Sequence, residues 1–453
     1  MEGELPSEAL PSMLREALAE KLAESLSAPL IDATPRHVHG TVAFKGKATT
    51  VIGMRRVGKT TFLHQIRRER LSKGVPRENL PYVNFEDERL AGMTANRFAF
   101  LVDEFDRRVP DARQRGSVTW CFDEIQVVPG WERFVRRLLD ADGNEIIVTG
   151  SSAALLSREV ATSLRGRGWE VPLYPFSFGE ALADHGHAVP WGRRLAGGRE
   201  QSKVEGAFLD WLTVGGFPEA QGLDADSRVQ LLRDYVDVAI LRDVVERHAV
   251  SNVAALRWLV RHLLGNAAGL FSVEKFYAAL KSQGIAVSKD TVHQLLAQIE
   301  DCFLVRSVWM EATSERQRMV NPRKTYPVDP ALIPIFDRSG RRNVGHALET
   351  AVLIELERRR LTATYVRTEG GHEVDFLVRS GTGEPELIQV CADASDPVTA
   401  ERELRGLAEA GANHRGARKR LLTLNRDGAP SDAPRDVVVQ PAYEWMLEEP
   451  GGR

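Results

Sequence analysis

The chain has 453 residues, 43% of them hydrophobic and 27% charged, which is globular composition and excludes a disordered chain. Sixty Lys and Arg against 63 Asp and Glu leave a net charge of −3; this excludes a global basic field for nucleic acid but not a local basic patch. The three cysteines, Cys121, Cys302 and Cys391, are far apart and form no CxxC pair, which argues against a disulfide framework or a cysteine zinc site.

Met1–Ser12 carries acidic residues and neither a basic nor an apolar export segment. The longest apolar runs also fall short of the roughly 18 residues of a membrane helix. The expectation is a soluble, cytoplasmic protein with no membrane partner. Leu14, Leu18, Leu22 and Leu26, spaced by four, predict one helix over Ser12–Leu26.

Short apolar runs at Ala48–Gly53, Pro81–Phe85, Ser117–Phe122 and Glu145–Thr149 then alternate with helical patterns to about Arg70, over Ala95–Arg108 and over Trp131–Asp140. Strands alternating with helices predict an α/β layout with a parallel sheet. From about Glu180 to Val250 the pattern is helical, broken by Gly215-Gly-Phe-Pro218. Helical segments at Ala254–Leu264, Ser272–Lys281 and Lys289–Asp301 precede an apolar strand, Cys302–Trp309, and a returning strand over Arg316–Val328. That order predicts a winged helix.

A helix over Gly345–Arg360 opens the last part. Strands follow at Ala363–Arg367, Glu373–Val378 and Glu386–Cys391, then a helix at Ala400–Ala410 and strands at Arg420–Thr423 and Val437–Gln440. The expected division is an N-terminal helix (1–30), a nucleotide-binding domain (31–179), a helical linker (180–250), a winged helix (251–335) and a terminal domain (336–453).

The chemistry begins at Gly53-Met-Arg-Arg-Val-Gly58-Lys59-Thr60, a complete GxxxxGK[ST] between a predicted strand and a predicted helix. Its glycines let the loop turn its amides inward, and the helix N-terminus adds positive potential for phosphates. Lys59 would reach the β- and γ-phosphates, and the Thr60 hydroxyl would ligate Mg²⁺. Phe122 is followed by Asp123 and Glu124 at the C-terminal end of a strand, where such sheets bind ligands. Asp123 would hold the metal, directly or through water, and Glu124 would polarise the attacking water. Gly53, Arg56, Gly58, Lys59, Thr60, Thr61 and Asp123 are the candidate nucleotide-binding set, with Thr60 and Asp123 on the metal.

In Thr149-Gly-Ser-Ser152, one hydroxyl, Ser151 being the candidate, would orient water or the γ-phosphate; the alternative is an N-cap for the following helix. Arg165 and Arg167 are candidates to neutralise charge on the γ-phosphate, in cis or from another subunit, Arg167 being the catalytic choice. The alternative is a solvated surface charge.

Gly53–Thr61, Phe122-Asp-Glu-Ile-Gln126 with Trp131, Thr149-Gly-Ser-Ser152, Gly166-Arg167, Pro175-Phe-Ser-Phe178 and Gly215-Gly-Phe-Pro-Glu219 resemble successive blocks of one family. It is the AAA+-like ATPases of bacteria and archaea with an AAA_14 nucleotide-binding domain and a DUF4143 C-terminal region. The resemblance spans roughly residues 30–445. It implies an ASCE-type P-loop core, a winged helix and a restriction-endonuclease-like α/β terminal domain, with ATP as the nucleotide.

Such endonuclease-like folds place two carboxylates and a lysine around a metal. Glu349 and Asp375 match the acidic positions, but Gln389 and Cys391 stand where an acid and the lysine are expected. That departure makes a nuclease the less favoured reading. Residues 289–324 hold six Lys or Arg against five acidic residues, with Arg316, Arg318, Arg323 and Lys324 grouped on the expected wing. Duplex DNA and a protein partner therefore both stay open, as does an oligomer. The expected activity is Mg²⁺-dependent ATP hydrolysis coupled to domain rearrangement. The alternative is a nucleotide-sensing DNA-binding regulator or adaptor without turnover.

Overall fold

A computed structural model describes residues 12–150, 164, 166–187, 189–190, 192–193, 197–337, 343–381 and 383–449. It divides into two units, Met1–Leu173 and Tyr174–Arg453. The first break therefore falls six residues before the one expected at 179/180.

The first unit is built on five parallel strands: β1 (Ala48–Ile52), β2 (Tyr82–Asn84), β3 (Val118–Asp123), β4 (Asn144–Gly150) and β5 (Gly168–Pro172), in the order β2-β3-β4-β1-β5. Every residue of β1 and of β3 is buried, as in a parallel sheet covered on both faces. The register Thr50↔Val148 and Phe122↔Val148 places β4 between the phosphate-loop strand and the acidic strand. The four strands expected from sequence are all present. The fifth, Gly-Trp-Glu-Val-Pro, is bounded by glycine and proline and lacks an apolar run.

Among the helices of this unit are α1 (Ser12–Ser27), α2 (Lys59–Ser72), α3 (Phe98–Arg108) and α4 (Trp131–Asp140). In α4 the residues Trp131, Phe134, Val135 and Leu138 are buried on one face. Phe98 of α3 stacks on Phe134 of α4 with ring centroids 4.1 Å apart, and Phe122 of β3 lies 5.8 Å from Phe134. Leu14, Leu18 and Leu22 of α1 are buried, and α1 packs on α3 and β2. Residues 12–27 of the expected 1–30 segment thus pack within the first unit. Leu26 is only half-buried, because the helix ends at Ser27.

In the second unit, β6 (Leu270–Phe271), β7 (Val305–Met310), β8 (Arg323–Pro327), β9 (Thr362–Arg367), β10 (Glu373–Arg379), β11 (Glu386–Cys391), β12 (Arg418–Thr423) and β13 (Val437–Pro441) form one mixed sheet. Its order is β13-β12-β11-β10-β9-β7-β8-β6. The expected boundary at 335/336 is not a break in this sheet, because β7 pairs parallel with β9 through Trp309↔Thr364 and Met310↔Tyr365.

The helices Val253–Gly265, Val273–Ser282 and Lys289–Asp301 precede β7 as expected. The returning strand is corrected. Residues 316–328 divide into a helix, Glu315–Val320, and then β8. Ser314 caps that helix by accepting the Gln317 N–H at 3.3 Å, and Pro322 forbids its continuation. The helix Val344–Arg358 is buried along most of its length, including Glu349 and Glu355.

The Gly-Gly-Phe-Pro block has a structural role here. Asp329 Oδ2 accepts the Gly216 N–H at 2.7 Å, and Gly216 O accepts the Phe176 N–H at 2.6 Å. Burial pushes the Asp329 carboxyl up to about 6, against the Gly216 and Ala331 amides that favour its charged form.

Candidate nucleotide site

The loop leaves β1 at Ile52 and enters α2 at Lys59. A Cβ on Gly53 would lie 2.1 Å from Leu173 O, so only glycine allows this close passage beside β5. Gly58 is the N-cap of α2 in a left-handed conformation, φ 92°. Arg56 is exposed in the turn with φ 68°, and Thr61 is half-buried in the first turn of α2.

Lys59 is buried, and its Nζ donates to Gly53 O at 3.1 Å and Met54 O at 3.2 Å. The same ammonium lies 3.5 Å from Glu124 Oε1. Thr60 Oγ1 donates to Asp123 Oδ2 at 2.7 Å, across a separation of 63 residues. Lys59, Thr60, Asp123 and Glu124 are therefore brought together at the C-terminal ends of β1 and β3, where the strand pattern put them.

Glu124 has a left-handed backbone, φ 50° and ψ 43°, an uncommon conformation for a residue with a Cβ. Its N–H donates to Thr149 Oγ1 at 2.9 Å, and its Oε2 accepts from Gln126 Nε2 at 2.5 Å. Burial opposes its charge, but Lys59, Gln126 and Arg55 outweigh burial and hold the carboxyl below the usual range. The group is ionised at neutral pH and available as a base.

Thr149 was one of several candidate hydroxyls in sequence. Its hydroxyl donates to Asp123 Oδ1 while accepting the Glu124 amide. β4 lies between β1 and β3, so its single threonine, near its C-terminal end, is beside the end of β3. Ser151 and Arg165 lie outside the described residues. Tyr82 was not singled out in the sequence at all; its OH donates to Asp123 Oδ2 at 2.9 Å. A lone Tyr in a three-residue strand carries no sequence signal for that contact.

Arg167 is not brought to this site, and its expected role in cis is corrected. It precedes β5, its O accepting the Ala48 N–H at 2.8 Å, and Ala48 is opposite Gly168 at the start of β1. The phosphate loop leaves the other end of β1, five residues along at roughly 3.3 Å each. The guanidinium pairs instead with Asp140 at the end of α4, both groups being exposed.

The donor set fits a hard cation. A hydroxyl and a carboxylate, Thr60 and Asp123, converge 2.7 Å apart beside a glycine-lined loop, and Mg²⁺ takes oxygen ligands of this kind.

A second charged cluster lies within the second unit, and it corrects the expected absence of a lysine there. Lys324 Nζ of β8 lies 2.9 Å from Glu349 Oε1, 2.8 Å from Asp375 Oδ1 and 2.8 Å from Glu373 Oε1. Tyr326 OH donates to Glu349 Oε1 at 2.7 Å. Gln389 accepts the Asp375 N–H at 3.2 Å and donates to Glu403 at 2.7 Å, so it is a buried connector. Cys391 Sγ faces Asp393 O at 3.2 Å and is not in the cluster. Three of the four expected wing cations likewise have partners, Arg318 lying 3.6 Å from Glu315, whereas Arg316 is exposed. Lys324 is inside this cluster, and Arg323 lies over the Trp309 ring at 4.0 Å and 3.4 Å from Glu300.

Among the described residues no group of three or more His, Cys, Asp and Glu could hold a metal ion by itself. No described helix is long and apolar enough to cross a membrane.

Residues 45–182 match the family model of an AAA domain, AAA_14. Residues 205–339 match a domain of unknown function, DUF8612, and the DUF4143 region that the resemblance implied for the terminal domain, 336–453, is not shown. The uncharacterized protein MJ1544 of Methanocaldococcus jannaschii is 31% identical over 419 residues, covering 88% of each chain. An uncharacterized protein of Haemophilus influenzae is 29% identical over 330 residues, covering 73% of this chain and 78% of the relative. Among solved structures, the Walker-type ATPase PABY2304 of Pyrococcus abyssi aligns over 71% of this chain and 95% of its own, with 16% identity and a TM-score of 0.39. The Aeropyrum pernix ORC1 protein in complex with DNA aligns over 73% and 94%, with 15% identity and a TM-score of 0.26.

Proposed function

The chain belongs to the family of the archaeal protein MJ1544 and carries an AAA domain at residues 45–182, and from that premise we propose that it is a Mg²⁺-dependent ATP hydrolase. The observation that carries the reading is the 2.7 Å contact between Thr60 and Asp123, the two groups a nucleotide-bound cation requires, made between the phosphate loop and the acidic strand. Lys59 supplies a cation at the loop, and the amino end of α2 adds its dipole for the phosphates. When bound, Mg²⁺ would supply positive charge to the phosphates. Thr60 and Asp123 would hold it. Glu124, ionised and fixed through its amide to Thr149, orients and polarises water.

The test is nucleotide binding and turnover by the purified chain, with and without duplex DNA. Lys59→Ala is expected to abolish nucleotide binding. Glu124→Gln is expected to bind nucleotide and lose turnover by 10²-fold or more, the scale of a positioned general base. Normal turnover in both variants would sink the assignment. Stimulation by DNA would make duplex DNA the partner; turnover indifferent to DNA would point to a protein partner.

A further inference from the structure

The carboxylate assigned to the metal is wholly buried and held by three hydroxyls. Thr60 and Thr149 follow from the loop and from β4. The third belongs to Tyr82, on the edge strand β2. In the register of β2 with β3, Tyr82 is opposite Cys121 and Asn84 is opposite Asp123. Tyr82 and Asp123 are therefore diagonal neighbours on one face, a separation an aromatic side chain can span.

The ring is fixed from behind by α2. His64 lies 4.8 Å from it, centroid to centroid, and the Arg67 guanidinium 5.4 Å from its centroid. Arg67 is 1% exposed and has no carboxylate partner among the described residues. It donates to Leu80 O at 3.0 Å, to Ser25 O at 2.5 Å and to His64 Nδ1 at 3.3 Å. Burial, with Arg67 and Arg77, pushes His64 down to about 4, so its ring is neutral and can accept from Arg67. A guanidinium facing an aromatic ring draws on its π-density and makes the phenol a stronger donor. The hydroxyl donates to Asp123 Oδ2 at 2.9 Å.

We propose that Tyr82 is a positioning residue for the metal-holding site: its hydroxyl, set by the α2 residues Arg67 and His64, fixes the Asp123 carboxylate in the rotamer that faces Thr60. This inference rests on the ATPase reading above and adds a residue to it. A hydrogen bond to the metal-holding carboxylate oxygen that also faces Thr60 tunes metal affinity without touching nucleotide.

The experiment compares wild type with Tyr82→Phe, which keeps the ring and removes one oxygen. Mn²⁺ binding in the presence of ADP is read by electron paramagnetic resonance of the free ion. Fluorescent ADP binding without metal is read in parallel. The expected result is Mn²⁺ affinity weakened about tenfold, unchanged metal-free nucleotide affinity, and a Mg²⁺ activation constant for hydrolysis that rises by the same factor. Unchanged Mn²⁺ affinity would overturn the proposal. So would an equal loss of metal-free nucleotide affinity, which would mark the hydroxyl as general support for the fold. Failure of wild type itself to bind nucleotide would instead strike the ATPase reading, and this inference with it.

Discussion

Replacing Lys324 by Met isolates the energetics of the cluster in the second unit. The ammonium is 4% exposed at its side chain and contacts Glu349 and Asp375, themselves 11% and 8% exposed. Glu373, at 34%, is open enough for water to screen its share. Removing the cation leaves the buried Asp375 carboxylate, and Glu349 where it ionises, without a counter-charge, a loss of about 3–5 kcal/mol. At a urea dependence near 3 kcal/mol per molar, the unfolding midpoint falls by about 1–1.7 M.

The sign of the pH dependence follows from Glu349. Burial and the Asp375 charge push it up to about 8 from an ordinary 4.5, while Lys324 and Tyr326 pull the other way. A carboxyl whose folded pKa is raised stabilises fully below its unfolded pKa, and that contribution is lost as pH rises through the folded value. Without Lys324 the folded value rises further. The deficit of the variant against wild type therefore grows from pH 5 to pH 8.5. Urea unfolding followed by tryptophan fluorescence at both pH values measures it. A deficit below about 1 kcal/mol at pH 8.5, or a larger deficit at pH 5, would refute the reasoning.

Asp329 gives a second pH effect: its rise to about 6 corresponds to roughly 3 kcal/mol that is present near pH 4 and lost by pH 7. Asp329→Asn should flatten that part of the stability–pH curve, and parallel curves for the two proteins would contradict it. Gly53→Ala should lose nucleotide binding, because the new Cβ meets Leu173 O at 2.1 Å; wild-type affinity by calorimetry would show that the loop can move. Arg167→Ala should leave turnover at dilute protein within about twofold, its Asp140 pair being exposed. A 10³-fold loss, the scale of an arginine finger, would return it to the site.

The phosphate loop, Asp123 and Glu124 were legible in the sequence because their signals are local. A glycine pattern between a strand and a helix, and two acids at the end of an apolar run, need no knowledge of distant chain. The leucines of α1 and the strands β1 to β4 were legible for the same reason, since spacing and apolar runs record burial directly. Sheet order and register are not local. They set Thr149 between Asp123 and Glu124, brought Tyr82 from an edge strand onto Asp123, and carried Arg167 to the opposite end of β1.

They also filled the position that Cys391 left without a lysine. Lys324 arrives from β8, which lies three strands from β10 in the sheet, with β7 and β9 between them, and it reaches Glu349 and Asp375 from there. Sequence alone determined which segments would become strands, helices and a phosphate loop, because each depends on neighbours a few residues away. Which side chains complete the two charged sites was decided only when strands far apart in the chain were ordered side by side, where hydrogen bonds and buried charge select partners by distance.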